Sequence, residues 1–168
     1  MGAMACSTDS SSIKNITNEV VKINYNLDNF EKEDFDSYEF ATEGTSGNIF
    51  FENNEIRKMH LEYFGETGKL IEDYYLKNGD LILIQQENYI YNAPIFVDST
   101  MAIELGYQEG FNPDLTNIIE DKFYFNNNKM VGWIDSKLKS INPVSDTFET
   151  KESVLLKHYN IILEKVKR

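Results

Sequence analysis

The chain has few of the residues that cross-link a fold or make its backbone unusually flexible or restricted. Its 168 residues include one cysteine, three prolines and nine glycines. A single cysteine excludes an internal disulfide, and the low glycine and proline content excludes a fibrous or linker-dominated protein. No run of 18 apolar residues occurs, so the sequence predicts no membrane-spanning helix.

Positive charge is also scarce. The chain has 16 Lys and Arg residues and 28 Asp and Glu residues, which gives a net charge of −12. A negative surface repels phosphate backbones, so the charge argues against nucleic acid as a partner. The stretch 28–52 has eight carboxylates and one lysine, Lys32, whereas the tail Thr150–Arg168 is basic. The two charged stretches have three possible interpretations. Both are solvated faces, or the basic tail packs near the acidic stretch, or the acidic stretch binds a cationic partner.

Apolar and aromatic residues are plentiful. Hydrophobic residues make up 41% of the chain and aromatics 13%, with ten Tyr and eleven Phe, which is enough to build a folded core. The length suits one domain. We therefore expect residues 13–168 to form a single domain.

Both ends of this domain carry helical periodicity. Apolar residues recur three and four positions apart from Ile13 to Phe30, which lines one face of a helix, and Ser12 is placed to cap it. The same spacing marks a C-terminal helix that opens at Thr150 or Ser153.

Strand and turn signals alternate between these helices. Asn78-Gly79 is the strongest turn signal, because a type I′ turn needs positive φ at both central residues. Asn53-Asn54 and Asn126-Asn127-Asn128 are similar, since asparagine tolerates that region. Glu31–Ser37 is interpreted as a charged connector and Ala93–Leu115 as a long open loop. The predicted strands are Tyr38–Thr42, Gly47–Glu52, Glu55–Gly65, Leu70–Lys77, Asp80–Asn92, Asn117–Phe125 and Met130–Asp135.

These elements predict an α+β fold. We expect an antiparallel meander of about six or seven strands covered by the N-terminal and C-terminal helices. The hairpins share a loose pattern, an aromatic before the turn and an aliphatic after it, where the two can pair across strands. The pairs are Phe51 with Ile56, Phe64 with Leu70, Tyr75 with Leu81 and Phe125 with Met130. The pattern faintly resembles MORN-type hairpin repeats, but it is too irregular for a solenoid.

The lone cysteine, Cys6, is followed by the polar run Ser7–Ser12. Met1–Ala5 has the character of a vector-derived remnant. A cysteine followed by a serine-rich tether resembles the start of a mature bacterial lipoprotein, which implies lipid attachment at Cys6; the remnant and the tether together make up residues 1–12. The anchor alone would then hold the domain at a membrane. A free surface thiol is the alternative.

Several short phrases support that resemblance. They are Thr42-Glu43-Gly44, Arg57-Lys58, Gly65–Lys69, Tyr74-Tyr75, Asn78-Gly79, Tyr91–Ile95, Phe123–Phe125 and Trp133–Asp135. Together they resemble phrases of small uncharacterised bacterial envelope lipoproteins over roughly residues 38–136. The resemblance implies a location in the bacterial envelope, periplasmic or at the cell surface, and it implies no substrate or catalytic residue.

Catalytic and metal signatures are missing from the sequence. His60 shares a strand face with Lys58 and Glu62, which predicts a half-exposed histidine paired with a carboxylate, and His158 lies beside the apolar stripe of the last helix. Neither histidine has a second ligand at zinc spacing, and no nucleophile elbow occurs. We therefore expect no catalytic residue, metal or cofactor.

Two acidic sets remain as alternatives. Glu62, Glu66, Glu72 and Asp73 could face one another across strands, and a close pair could hydrolyse envelope polysaccharide. The run Asp34-x-Asp36-x-x-Glu39 could hold calcium weakly, although it lacks the usual loop pattern.

Aromatic residues are the one abundant resource for recognition. Six of them either fill the core or form a binding surface from Ala93–Leu115 and Asp80–Asn92; they are Tyr89, Tyr91, Phe96, Tyr107, Phe111 and Trp133. The function we expect is a non-catalytic, inhibitor- or immunity-type module that binds a protein or another ligand. A polysaccharide hydrolase and a structural subunit of an envelope complex are the alternatives.

Overall fold

The computed structural model describes residues 6–166, with side chains from Ser11 onward. The predicted vector remnant therefore lies outside the described residues, as do Lys167 and Arg168. The helices are α1 (Cys6–Tyr25), α2 (Ser99–Leu105) and α3 (Asp146–Val166), with single 3₁₀ turns at Leu27–Asn29 and Pro113–Leu115. The strands are β1 (Glu31–Ser37), β2 (Thr45–Glu52), β3 (Glu55–Gly65), β4 (Gly68–Lys77), β5 (Asp80–Ile90), β6 (Asn117–Asn126) and β7 (Lys129–Ile134).

The seven strands form one sheet in chain order, and each pairs antiparallel with the next. This confirms the predicted α+β meander. Asparagine turns join three of the hairpins at one end of the sheet: Asn53 and Asn54, Asn78 and Gly79, and Asn127 and Asn128 all have positive φ. We call this the turn end. Gly79 has a φ of 81°, a conformation that costs a residue with a side chain about 1–2 kcal/mol.

The two long helices cover opposite faces of the sheet. Alternate residues of a strand point to opposite faces, so Tyr74 packs in the core under α3 whereas Tyr75 packs in the core under α1. Helix α3 contributes Phe148, Leu155, Tyr159 and Ile162, and α1 contributes Ile16, Val20 and Ile23. The result is a three-layer arrangement with the sheet in the middle.

Helix α1 lies close to β7. A Cβ placed on Gly132 would lie 2.9 Å from Ile13 Cδ1, so a side chain at this position would require that flexible methyl group to move. Further along, Glu19 of α1 pairs with Arg57 of β3 at 2.8 Å and with Lys77 of β4 at 3.2 Å. The helix therefore spans the face from β7 to β3.

The first strand corrects the sequence prediction. Glu31–Ser37, expected as a connector, is edge strand β1, and Tyr38–Thr42, expected as a strand, is a bent connection. Strand β1 has a single large apolar residue, Phe35, and pairs with β2 through its backbone over its whole length. Charged side chains are common on edge strands because they discourage pairing with other chains.

Both helix starts were also predicted too late. Helix α1 begins at Cys6 rather than at Ser12, so part of the predicted tether is helical, and α3 begins at Asp146 rather than at Thr150. The Ser145 hydroxyl accepts a hydrogen bond from the Phe148 amide at 3.2 Å, which satisfies one of the free donors of the first turn.

The repeated hairpin pattern describes two of its four pairs. Phe51 lies opposite Ile56, and Phe125 lies opposite Met130. At the other two turns the cross-strand pairs are Tyr63 with Leu70 and Leu76 with Leu81. The register of β4 shifts after Tyr75, and Leu83 rather than Leu81 lies opposite Tyr75.

Candidate interaction surface

A buried carboxylate lies at the centre of the α3 face. Glu72 is 1% exposed, and it accepts hydrogen bonds from the Tyr74 hydroxyl and from Gln86 Nε2, the latter at 2.5 Å. His158 of α3 lies 3.4 Å from the same carboxylate and 3.1 Å from the Tyr63 hydroxyl. Burial by itself raises the pKa of Glu72, but the bonds from His158, Tyr74 and Gln86 prevail and lower it.

A second polar cluster lies on the α1 face. Asp73 pairs with His60 Nδ1 at 2.6 Å and with Lys58 Nζ at 2.9 Å. Burial raises the pKa of Asp73, but the His60 bond and the Lys58 charge outweigh it and lower the pKa. Lys58 Nζ and the Tyr75 hydroxyl also reach Asn24 of α1, at 3.4 and 3.2 Å. Glu72 thus links α3 to the sheet through His158, whereas the partners of Asp73 are strand residues and Asn24 makes the contacts from α1 to this cluster.

The structure shows where the two predicted histidines lie. His60 is half-buried and paired with a carboxylate, as predicted, although its close partner is Asp73 on the neighbouring strand rather than Glu62, which is 3.7 Å away. His158 packs against the rings of Phe40 and Tyr63. Each histidine joins two elements of the fold.

The four carboxylates considered for hydrolysis do not form one group. Glu72 and Asp73 are adjacent on β4 and therefore point to opposite faces. Glu62 pairs with Lys69 at 2.8 Å, and Glu66 lies in the turn between β3 and β4. Glu72 and Asp73, the two that are adjacent in sequence, therefore lie on opposite sides of the sheet.

The acidic run on β1 is also divided among partners. Asp34 accepts a hydrogen bond from Asn48 at 2.9 Å, and Glu39 forms an ion pair with Lys165 of α3. The predicted approach of the basic helix to the acidic stretch is therefore found in this pair. No group of three or more His, Cys, Asp or Glu suited to a metal occurs among the described residues.

The connection between β5 and β6 is irregular, and together with the last residue of β5 and the first two of β6 it forms a unit, residues 90–118, that we call the cap. It is packed rather than open. Asp98 caps α2 by accepting hydrogen bonds from the amides of Thr100 and Met101, and Gly106 ends the helix with a φ of 81°. Ala93, Val97 and Ala102 form a small core of their own.

Several bonds fix the cap to the end of the sheet opposite the turn end. The Tyr91 amide donates to the Thr67 carbonyl and the Ile95 amide to the Glu66 carbonyl, both at 3.0 Å. The Asn92 side chain bridges the cap internally, since it donates to the Gly110 carbonyl and accepts from the Asn112 amide, both at 2.9 Å. The cap therefore presents its surface on a fixed backbone.

The six predicted aromatic residues divide between core and surface. Tyr91 and Phe111 pack edge to face inside the cap, with ring centroids 5.1 Å apart. Trp133 lies on the α3 face and donates to Asp121 at 2.9 Å. Tyr89 donates to Glu87 at 2.9 Å. Phe96 and Tyr107 are exposed, so only these two of the six suit a recognition surface.

Aliphatic side chains form most of the exposed apolar surface of the cap, and sequence reasoning missed them. Eight of the fifteen exposed large hydrophobic residues described in the structure belong to the cap, and Ile103 is 83% exposed. They are Ile90, Ile95, Phe96, Ile103, Leu105, Tyr107, Leu115 and Ile118. Exposed apolar side chains concentrated in one region are typical of interaction sites.

The cap itself has charge of one sign. Between Lys77 and Lys122 the sequence has no Lys, Arg or His, and residues 90–118 have four carboxylates: Asp98, Glu104, Glu109 and Asp114. Apolar side chains are thus set in a surface that attracts cations. This long gap in basic residues is a signal that the sequence alone provides.

The predicted anchor residue lies at the start of the first helix. Cys6 is the first residue of α1, and its side chain lies outside the described part. None of the described helices has the length and apolar character needed to cross a bilayer. Comparison of the chain with protein-family models, with curated proteins and with solved structures found no match.

Proposed function

We propose that this protein is a lipid-anchored module of the bacterial envelope that binds a partner protein through the cap and performs no chemistry. The observation that supports this most strongly is the concentration of exposed apolar side chains on a cap that hydrogen bonds hold to the sheet. Fixed apolar side chains bind at a low entropic cost, because little must be ordered on association.

The partner is cationic around its contact. The cap and its flanking strands contain no basic residue between Lys77 and Lys122, so a basic surface is attracted to it over a distance and a second acidic surface is repelled. An inhibitor- or immunity-type protein that captures a basic enzyme fits this charge. The lipid on Cys6 places the module at the membrane where such an enzyme works or enters.

Site-specific photocrosslinking in the native envelope tests the binding site. A benzophenone amino acid is placed at Ile103 in the cap, and at Leu138, which is 86% exposed and lies outside the cap, as the matched control. We expect a discrete adduct with a basic protein at position 103 and none at position 138. Equal crosslinking at both positions, or none at 103, contradicts the proposal.

The anchor is tested separately. Replacing Cys6 by Ala in the full precursor should move the protein from the membrane fraction to the soluble fraction, because two or more buried acyl chains provide the membrane affinity. Retention of the variant on the membrane contradicts lipidation. The crosslinking result is independent of this outcome if the variant is expressed in the same compartment.

A further inference from the structure

The turn that follows β7 presents an exposed leucine in an unfavourable backbone conformation. Leu138 has a φ of 58°, in the left-handed region, and it is 86% exposed. The other described residues that combine a side chain with a positive φ are all asparagines, and asparagine accepts this conformation more readily than leucine does. A leucine at this position therefore favours neither the turn nor the core.

Hydrogen bonds hold this turn, residues 135–139, in one shape, and we call it the basic tip. The Asp135 carboxylate accepts hydrogen bonds from the amides of Lys137 and Lys139, at 3.0 and 2.8 Å. The Asp135 amide donates to the Lys139 carbonyl at 2.9 Å, and the Leu138 amide donates to the Asp135 carbonyl at 2.8 Å. Strained residues that the surrounding structure fixes in this way cluster at functional sites.

The basic tip is positive in a chain that is strongly negative. Lys137 and Lys139 flank Leu138, both are exposed, and neither has an ion-pair partner among the described side chains. Residues 126–145 contain three lysines and one carboxylate, whereas the whole chain has a net charge of −12. Asp9 is the only acidic side chain outside the described ones, and one carboxylate cannot neutralise two lysines.

The basic tip lies at the same edge of the sheet as the start of α1. Strand β7 is the last strand of the sheet, and the tip follows it directly. Helix α1 passes β7 at Ile13, beside Gly132, and runs from there toward β3, where Glu19 pairs with Arg57. Its first turns therefore lie on the β7 side. Cys6 begins the helix, about 10 Å before Ile13 along the axis.

We propose that the basic tip contacts an anionic lipid surface, the one to which acyl chains on Cys6 attach the protein. Leu138 enters the interface between headgroups and acyl chains, and Lys137 and Lys139 pair with the phosphates beside it. An apolar side chain with basic neighbours is the chemistry that such an interface binds. This inference rests on the proposed attachment at Cys6. The acyl chains hold the protein at the surface, and the tip sets its orientation.

Two observations favour lipid over an acidic partner protein. The tip lies at the edge of the sheet where α1 begins, so an anchor on Cys6 brings this edge toward the membrane. A single leucine between two lysines is also far smaller than the roughly 800 Å² that a stable protein interface buries on each partner.

Photocrosslinking on vesicles tests this contact with the full chain. Cys6, the single cysteine, is coupled to a maleimide lipid in vesicles of phosphatidylcholine and phosphatidylglycerol. A benzophenone amino acid is placed at Leu138 and, as the matched control, at Tyr38, which is 87% exposed and follows β1 at the opposite edge of the sheet. We expect about tenfold more lipid adduct at position 138 than at position 38. Equal yields at the two positions overturn the proposal.

Two double variants separate the basic tip from general charge. K137Q/K139Q should lower the yield of lipid adduct at position 138 about tenfold, because each lysine near an anionic surface adds to the attraction. K32Q/K157Q removes two exposed lysines elsewhere and changes the net charge equally, so it should leave the yield unchanged. An equal loss in both variants also overturns the proposal.

Thermal unfolding of Leu138→Asn tests whether the leucine serves the fold. The melting temperature should rise by about 2–4 °C, because asparagine accepts the left-handed conformation. A lower melting temperature would give Leu138 a structural role and remove the basis of the proposal. In the native envelope, an adduct between position 138 and an acidic protein would assign the tip to a protein partner, which overturns it too.

These outcomes are distinguishable from a failure of the proposed function. The maleimide lipid supplies the anchor, so the vesicle result does not depend on native lipidation, which the Cys6→Ala fractionation tests. Crosslinking at Ile103 reports on the cap, and crosslinking at Leu138 reports on the basic tip.

Discussion

The two faces of the sheet hold neighbouring carboxylates in different ways. Glu72 points to α3, and its side chain is 2% exposed; Asp73 points to α1, and its side chain is 18% exposed. Two neutral donors, Tyr74 and Gln86, bind Glu72 together with a histidine from the helix. Lysine and histidine, both from β3, bind Asp73.

The difference shows that the helices are attached by different means. On the α3 face the carboxylate is enclosed, so losing it leaves buried donors without an acceptor. On the α1 face the carboxylate pairs with the buried Lys58 and with His60, whose side chain keeps partial access to water. We therefore expect the two faces to differ in the free energy that each cluster contributes and in its dependence on pH.

Replacing Glu72 by Ala should have the largest effect. It leaves Tyr74 and Gln86 unpaired in the core, which should reduce the free energy of unfolding by about 3 kcal/mol or more. Urea unfolding measures this. Glu120, a surface carboxylate on β6 that is 46% exposed, is the control, and its replacement by Ala should change stability by less than ~0.5 kcal/mol.

Replacing Asp73 by Asn should have a smaller effect. The amide keeps the shape but loses the charge that attracts His60 and Lys58, which should cost about 1–2 kcal/mol. The same urea experiment measures it. If this variant is less stable than the Glu72→Ala variant, the degree of burial does not determine how much each carboxylate contributes to stability, and the comparison is wrong.

The α1 face should also respond to pH near neutrality. The hydrogen bond to Asp73 raises the pKa of His60 above its ordinary 6.5, against the opposing effect of burial. Because the folded protein binds this proton more tightly than the unfolded chain does, protonated His60 stabilises the fold. The contribution is complete below the pKa of the unfolded state and is lost as the pH rises through the pKa of the folded state. Stability should therefore fall from about pH 6.5 upward.

Histidine NMR provides the direct measurement of that coupling. The pKa of His60 should fall when Asp73 is replaced by Asn, because the main cause of the shift is removed. In urea unfolding, the His60→Gln variant should lose less stability than the wild type over the same rise in pH. An equal loss in both proteins would assign the pH dependence to other groups.

Lys151 provides the smallest expected effect, on the α3 face. Its amine donates to Gln86 at 3.0 Å and lies 4.9 Å from the ring centroid of Phe123. Burial lowers the pKa of Lys151, because the charged amine is removed from water. That cost offsets part of the stability that the two contacts provide. Replacing Lys151 by Met keeps the stem and should change stability by less than ~1 kcal/mol. A decrease of more than ~2 kcal/mol in the free energy of unfolding would show that the charge of Lys151 is what attaches α3 to the sheet.

Local chemistry made much of this fold predictable. Asn78-Gly79 and Asn53-Asn54 mark turns because few residues accept positive φ, and the structure has both. Strand β1 escaped prediction because an edge strand needs only backbone pairing, which Glu31–Ser37 obtains from β2. The start of α1 escaped because Ser7–Ser12 has no apolar periodicity to mark it.

The candidate surface was predictable only in its location. The sequence points to the segment that became the cap, but it could not show that Tyr91 and Phe111 pack together while Ile103 stays exposed. Strand parity, by contrast, is enough to place the adjacent residues Glu72 and Asp73 on opposite faces of a sheet.

The contact between Ile13 and Gly132 has a consequence for biosynthesis. Helix α1 precedes all seven strands in the chain, but the surface that it covers is complete only after β7 has been made. The stripe Ile16, Val20 and Ile23 thus stays uncovered while the strands are being produced, and an exposed apolar stripe of this kind favours aggregation of the nascent chain.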